Sequence, residues 1–283
     1  MPRSRSVAIV TDSTAYLPTE AVERHRIIVV PLTVVLGGTA FEDGTDEAAR
    51  ELTNALQQRR PVTTSRPGPA TFAAAYLAAA DAGAEGIVSL HLSSEISGTY
   101  DAAVVAAREA PVPVRVVDSA MIAMALGFSV VAAAEAVAAG GTPDDAVAAA
   151  VKRAGSTRAY FYVDTLEHLR RGGRIGPAQA LLGSALAVKP LLELREGRIE
   201  PLERVRTASR AIARLEALAV EHAGAGPVDV AVHHLDSEER ATQLGERLRG
   251  RLPGLVDLHV SEVGAVIGAH TGPGLLGAVV APR

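Results

Sequence analysis

Short β-branched runs alternate along this chain with longer alanine-rich stretches of helical spacing. The runs that predict strands are "VAIVT" (7–11), "RIIVVPLTVVL" (26–36, broken at Pro31), "GIVSLHL" (86–92), "VRVVD" (114–118) and "AYFYV" (159–163). Further on come "KPLLELR" (189–195), "RIEPLERV" (198–205), "VDVAVHH" (228–234), "VDLHV" (256–260) and "AVIGAH" (265–270). Helices are predicted over 46–58, 69–82, 98–109, 119–139, 143–154, 177–188, 207–223 and 236–250. Such alternation marks an α/β protein, with a largely parallel, doubly wound sheet in the first half. Glu196-Gly197, set between two apolar runs, predicts a hairpin, so the second half should hold a mixed sheet with helices. The polar stretch "KRAGSTRA" (152–159) is the expected boundary between two α/β domains, 1–155 and 156–283. No low-complexity linker separates them, so close packing is expected.

Composition narrows the function classes. Hydrophobic residues make up 48% of the 283, ample for a core, while aromatics are only 3%. The net charge of −4 and the few aromatics argue against a nucleic-acid partner, which calls for a basic face or base-stacking platforms. Cysteine is absent, which removes disulfides, thiolate metal sites and cysteine nucleophiles and suits a reducing interior. "MPRSRS" leads into an apolar run of strand length rather than a signal segment. "MIAMALGFSVVAAAEAVAAG" is interrupted by Glu135, short of the roughly 18 unbroken apolar residues of a spanning helix. A soluble, cytoplasmic protein is expected.

Several motifs invite chemistry and do not sustain it. Asp-Ser or Asp-Thr ends an apolar run four times, at Asp12, Asp118, Asp164 and Asp236, and reads as helix capping, most plainly in "DSEE". "GPGLLG" (272–277) has dinucleotide-loop spacing, but no βαβ unit or later acid can follow in the six residues that remain. Ala278 and Val279 stand where a phosphate loop needs Lys and Ser or Thr. "EISGT" has Glu95 where a nucleophile elbow needs glycine, leaving a serine-dependent acyl hydrolase or transferase built on Ser97 and His270 as the alternative reading. His233 and His234 point to opposite faces of a strand and predict no metal site.

Three small polar segments remain: "PVTTSRPGP" (61–69), "HLSSEISGTY" (91–100) and "GAHTGPG" (268–274). Each offers hydroxyls or glycine-bared N–H groups where a strand or loop meets a helix or turn. A helix starting near Ser97-Gly98 would direct free N–H groups at an anion, and Gly98 would let it approach the backbone. His270 could donate to the same anion.

These residues resemble the DegV family, whose members bind fatty acids. The match runs through "VTDST" (10–14), "TTSRPGP" (63–69), "SSEISGTYDAA" (93–103), "VVDSAMIAMALG" (116–127), "VDTLEHLRRGGRI" (163–175), "LAVKPLLEL" (186–194), "GRIEPLERVRT" (197–207) and "GAHTGPGLLG" (268–277). The resemblance implies two α/β domains with one long-chain fatty acid, such as palmitate, stearate or oleate, in an apolar tunnel between them. Its carboxylate would be held by Thr64, Ser65, Ser93, Ser94, Ser97 and Gly98, with His270 and Thr271. It also implies a non-enzymatic carrier, without cofactor or metal, that presents the acid to a separate ATP-dependent fatty acid kinase for acyl-phosphate formation. Transient contact with a membrane surface fits that role. Two positions depart from the family pattern: Arg66 replaces a common glutamine and Gly176 a common serine. Arg66 either joins the anion site or faces solvent.

Met121, Met124, Leu126 and Phe128, read as one helix, are the expected tunnel lining, since methionine adapts to irregular ligands, or else ordinary core. Arg170, Arg171 and Arg174 surround a Gly-Gly turn and alone read as a solvated loop. The resemblance makes them a docking surface for the kinase.

Overall fold

In the computed structural model the described residues are 6–181 and 189–283. The latter part of the helix predicted over 177–188 and the start of the 186–194 motif lie outside them. In chain order the strands are β1 (Val7–Asp12), β2 (Ile28–Val30), β3 (Thr33–Leu36), β4 (Thr39–Glu42), β5 (Val62–Ser65), β6 (Gly86–His91) and β7 (Val114–Asp118). They continue with β8 (Arg158–Tyr162), β9 (Lys189–Arg195), β10 (Arg198–Val205), β11 (Val228–His234), β12 (Leu255–Glu262) and β13 (Leu276–Pro282). The helices are α1 (Thr19–His25), α2 (Asp46–Gln57), α3 (Pro69–Asp81), α4 (Thr99–Ala107) and α5 (Met124–Ala138). After them come α6 (Pro143–Ser156), α7 (Glu167–Arg171), α8 (Ala208–Ala223), α9 (Glu238–Arg251) and α10 (Ala265–Thr271).

The chain divides into two compact units. One comprises the residues up to Thr33, Glu42–Gly44 and Thr64–Gly155; the other comprises Val34–Phe41, Thr45–Thr63 and Ser156–Arg283.

The first unit is built on a parallel sheet of order β2-β1-β6-β7. Every residue of β6 is buried, as befits a central parallel strand covered on both faces. Ile87 and Val10 face Phe72 and Tyr76 of α3 and Ala102, Ala103 and Ala106 of α4. Val88, Leu90 and Ile9 face the other way, onto Leu126, Val130 and Ala133 of α5 and Ala146 and Ala150 of α6. Alternation along the strand thus produces the doubly wound sandwich that the sequence pattern predicts. Proline at 31 separates β2 from β3, because it cannot donate to a ladder.

The second unit holds a mixed sheet of order β10-β9-β8-β13-β11-β12, in which only β11 and β12 pair in parallel. Leu215 and Ala219 of α8 and Leu244 and Leu248 of α9 cover one face, against Tyr160, Tyr162, Val230, Val232 and Leu276. The β9–β10 hairpin turns at Glu196 and Gly197, both at positive φ (49° and 77°), as a two-residue turn matching strand twist requires.

Three expectations are corrected. The run 265–270 is not a strand: it is α10, entered from the extended Gly264. Its first four residues are all buried, and an apolar run that short carries no period to separate helix from strand. The helix predicted from residue 119 begins at Met124, because Ala120 and Ala123 sit at φ 52° and 56°. Met121 therefore lies in the preceding loop and not on one helix with Met124, Leu126 and Phe128. Asp12 and Asp118 do accept from the amides of Thr14 and Ala120. At "DSEE", however, Ser237 occupies the N-cap of α9 without a side-chain cap bond, and Glu238 and Glu239 supply only favourable charge.

Candidate functional site

β6 delivers the chain into the hydroxyl-rich loop, and the loop folds on itself before α4 begins. The amides of Ile96 and Ser97 donate to the carbonyl of Ser93, whose own amide donates to Met121 O at 2.9 Å. The buried Ser93 Oγ accepts from the Glu95 amide at 3.2 Å. Ser94 is committed to Asp118, donating from both its amide and its hydroxyl. With its proton there, Ser94 has none for a bound anion. Ser97 Oγ and Thr99 Oγ1 share a hydrogen bond of 2.9 Å on either side of Gly98, the N-cap of α4. Thr64 is half-buried and Ser65 exposed at the end of β5, where Ser65 Oγ donates to Arg66 O. The Arg66 side chain lies over Gly98: a Cβ on Gly98 would fall 1.6 Å from Arg66 Nη1. Thus Arg66, Ser97, Gly98 and Thr99 form one cluster, and the lack of a side chain at 98 is what admits the guanidinium.

Beneath the loop runs a buried polar relay. Tyr76 Oη donates to Ser89 Oγ (2.9 Å), Ser89 Oγ lies 2.7 Å from His91 Nε2, and His91 Nδ1 lies 3.0 Å from Asp12 Oδ2. Asp12 Oδ2 also accepts from the Leu92 amide, and Oδ1 from the amide and hydroxyl of Thr14. Burial pushes the Tyr76 hydroxyl up to about 12, against the opposing effect of its bond to Ser89. The connectivity is that of a hydrolase triad, but Ser89, His91 and Asp12 are all fully buried, so no ester can reach the serine. Sequence reasoning missed this relay. Its signal was a polar residue at the end of each of two apolar strands, Asp12 in "VTD" and His91 in "SLH".

In the second unit, α10 carries His270 and Thr271. Thr271 Oγ1 donates to Ile267 O of its own helix. The His270 ring packs on Gly172, where a Cβ would fall 2.0 Å from Nδ1. Burial, and then the nearby Arg174 charge, push His270 down to about 4, so at neutral pH it is an uncharged imidazole with one N–H to donate. Arg174 Nη1 donates to Gly172 O at 2.7 Å. The histidine and the arginine loop, given separate roles by sequence, are therefore immediate neighbours. Glu167 holds Arg170 with two bonds (2.7 and 2.9 Å) and Arg171 with one (2.8 Å). Those arginines keep Glu167 down to about 2.

Of the apolar candidates, Leu126 and the half-buried Met121 pack in the same cluster with Val88, Leu90 and Leu92. Met124 is fully buried beside Gly127. Phe128 turns to α6, where Arg153 lies over its ring at 5.6 Å. Positions 126 and 128 are two apart on a helix and face different neighbours.

A cleft of about 510 Å³ in the second unit is lined by Asp164, His168, Asp236, Glu238, Glu239 and Gly274, among others. Four carboxylates line it against one guanidinium, that of Arg240, a balance that disfavours an anionic head group. The "GPGLLG" turn closes against it, and β13, a strand rather than a helix, follows. Among the described residues, no group of His, Asp and Glu could hold a metal ion, and no helix is long and apolar enough to cross a membrane.

The family model for "Uncharacterised protein, DegV family" matches residues 6–283. A DegV domain-containing protein of Streptomyces coelicolor is 72% identical over 280 residues, covering 99% of this chain and all of that protein. Among solved structures, a DegV family protein of Thermus thermophilus described for fatty acid binding superposes with a TM-score of 0.92 at 34% identity, covering 98% of this chain and 100% of its own. DegV of Bacillus subtilis, a fatty acid binding protein, superposes at 0.90 with 36% identity, covering 99% and 100%.

Proposed function

The chain belongs to the DegV family, and we propose that it binds one long-chain fatty acid and hands it to a separate ATP-dependent fatty acid kinase for conversion to an acyl phosphate. The likeness over the full chain to two fatty-acid-binding structures carries the reading. The chemistry of the loop supports it. Ser97 Oγ is bonded to Thr99 and not to an imidazole, and the His91 imidazole is consumed by Ser89 and Asp12. Hydroxyls without an activating base suit holding an acid and not attacking an ester.

In this proposal the carboxylate ligands are drawn from Thr64, Ser65, Ser93 and Ser97, with His270 as a neutral donor and Gly98 leaving room for the Arg66 side chain. Ser94 and Thr271 support the loop and helix, since their protons go to Asp118 and Ile267. Met121 and Met124 are the preferred contacts for the acyl chain. Burying fifteen methylenes at about 0.8 kcal/mol each gives roughly 12 kcal/mol gross, much reduced by the cost of association. The tail therefore sets affinity and the head group sets orientation. Arg170, Arg171 and Arg174 are the proposed kinase-docking surface.

Organic extraction of the purified protein followed by mass spectrometry is expected to give one fatty acid per chain. A lipid-free protein that titrated palmitate does not load, and that forms a serine-probe adduct at Ser97, overturns the reading in favour of a hydrolase.

A further inference from the structure

The hydroxyls proposed to hold the carboxylate are neutral, and so is His270 at neutral pH. The cluster at Gly98 adds a full charge. Arg66 could extend into solvent from an exposed loop, yet its Nη1, Cζ and Cδ all lie within 3.2 Å of where a Gly98 Cβ would stand. The exposed Arg66 side chain thus passes over the backbone of Gly98, whose sequence neighbours Ser97 and Thr99 bond each other through their hydroxyls. It makes no ion pair with any carboxylate among the described residues. A planar fork of N–H donors next to the hydroxyl-bearing start of α4 suits an oxyanion.

We propose that Arg66, seated on Gly98, is the residue that makes the head-group site selective for anions, favouring a carboxylate, and still more a phosphate, over an uncharged single-chain lipid. The inference rests on the fatty-acid reading above and adds the residue that sets its head-group preference. Affinity for the tail does not depend on Arg66. The charge preference does, because a bond to a charged group is stronger than one between neutral groups.

Gly98→Ala keeps the arginine and its charge, but the new methyl group takes the guanidinium's place. The Gly98 backbone, at φ −75°, accepts alanine without strain.

Palmitate, hexadecyl phosphate and hexadecanol are titrated against the parent, Arg66→Gln, Gly98→Ala and the double variant. For Arg66→Gln, palmitate affinity should fall about tenfold, the lower end for a charged hydrogen bond. Hexadecyl phosphate should lose more, and hexadecanol less than about twofold, as for an ordinary surface change. Gly98→Ala should reproduce much of the palmitate loss, and the double variant should lose little more than Arg66→Gln alone, because both changes remove one interaction. A palmitate-to-hexadecanol ratio unchanged by Arg66→Gln overturns the inference while leaving fatty-acid binding standing. Losses that simply add in the double variant overturn the seat on Gly98. A parent that binds none of the three lipids overturns the fatty-acid reading itself.

Discussion

His91 Nδ1 and Asp12 Oδ2 meet at 3.0 Å with both side chains wholly shielded from solvent, at the ends of neighbouring parallel strands. Asp12 Oδ1 takes both donors of Thr14, and Oδ2 takes the Leu92 amide besides the imidazole. Each oxygen thus fastens a different segment to the strand end, and the residue after Leu92 is Ser93.

Asp12→Asn conserves volume but sets an NH₂ group against donors at one of the two oxygen positions. Breaking one member of a buried pair should cost about 3 kcal/mol. Denaturant unfolding should show a lower midpoint with an unchanged slope. A midpoint equal to that of the parent would mean the relay is dispensable.

Acid should weaken the fold before the carboxylates titrate. His233 and His270 are both pushed from 6.5 to about 4, mainly by burial. His168 is shifted in the same direction for the same reason. Because the folded values lie below the unfolded ones, the unfolded chain takes up more protons between pH 6.5 and 4. The stabilisation is complete above pH 6.5 and is lost as pH falls through about 4. For His233 and His270 it amounts to about 3 kcal/mol each at most. A stability profile flat from pH 7 down to 4.5 would contradict the burial of these imidazoles. His233→Gln should lessen the slope by close to one proton.

Glu167 restrains Arg170 and Arg171, two of the three arginines proposed to dock the kinase, and this would make that contact adjustable. Glu167→Gln should release Arg170 and Arg171 to acidic groups of the partner and raise acyl-phosphate formation at limiting kinase. Replacing Arg170, Arg171 and Arg174 together by Ala should lower it while leaving lipid content intact. Both effects should shrink at high salt, since exposed charges are screened within about 8 Å at physiological ionic strength. If all three proteins support the same rate at low salt, the arginines are not the docking surface.

What the sequence disclosed followed from local chemistry. Pro31 had to break a strand, Glu196-Gly197 had to turn a hairpin, and alternation through β6 had to cover both sheet faces. The run 265–270 and the start of α5 were misread because their conformation is decided by neighbours. α10 is buried on Leu52 and Leu235, which lie where a Gly268 Cβ would stand. Ala120 and Ala123 take left-handed φ values that alanine does not itself favour. Among the candidate site residues, the hydroxyl loop was legible because Ser and Thr are conspicuous in an aliphatic background. The relay was not, since pairing Asp12 with His91 needs strand order. Nor was the seat of Arg66, because glycine at 98 announces only that something comes close.

The packing of His270 on Gly172 gives the head-group assignment a test independent of deleting the histidine. His270→Ala removes a donor from a bound carboxylate, worth roughly ten- to a hundredfold in affinity for a charged hydrogen bond. Gly172→Ala keeps the imidazole but adds a methyl group 2.0 Å from the present position of Nδ1, so the ring must move. Both variants should weaken palmitate and largely spare hexadecanol, whose tail contacts are the same and whose head carries no charge. Titration calorimetry with the two ligands reads the difference directly. Equal losses for acid and alcohol in both variants would make His270 a packing residue of α10 and remove it from the carboxylate site.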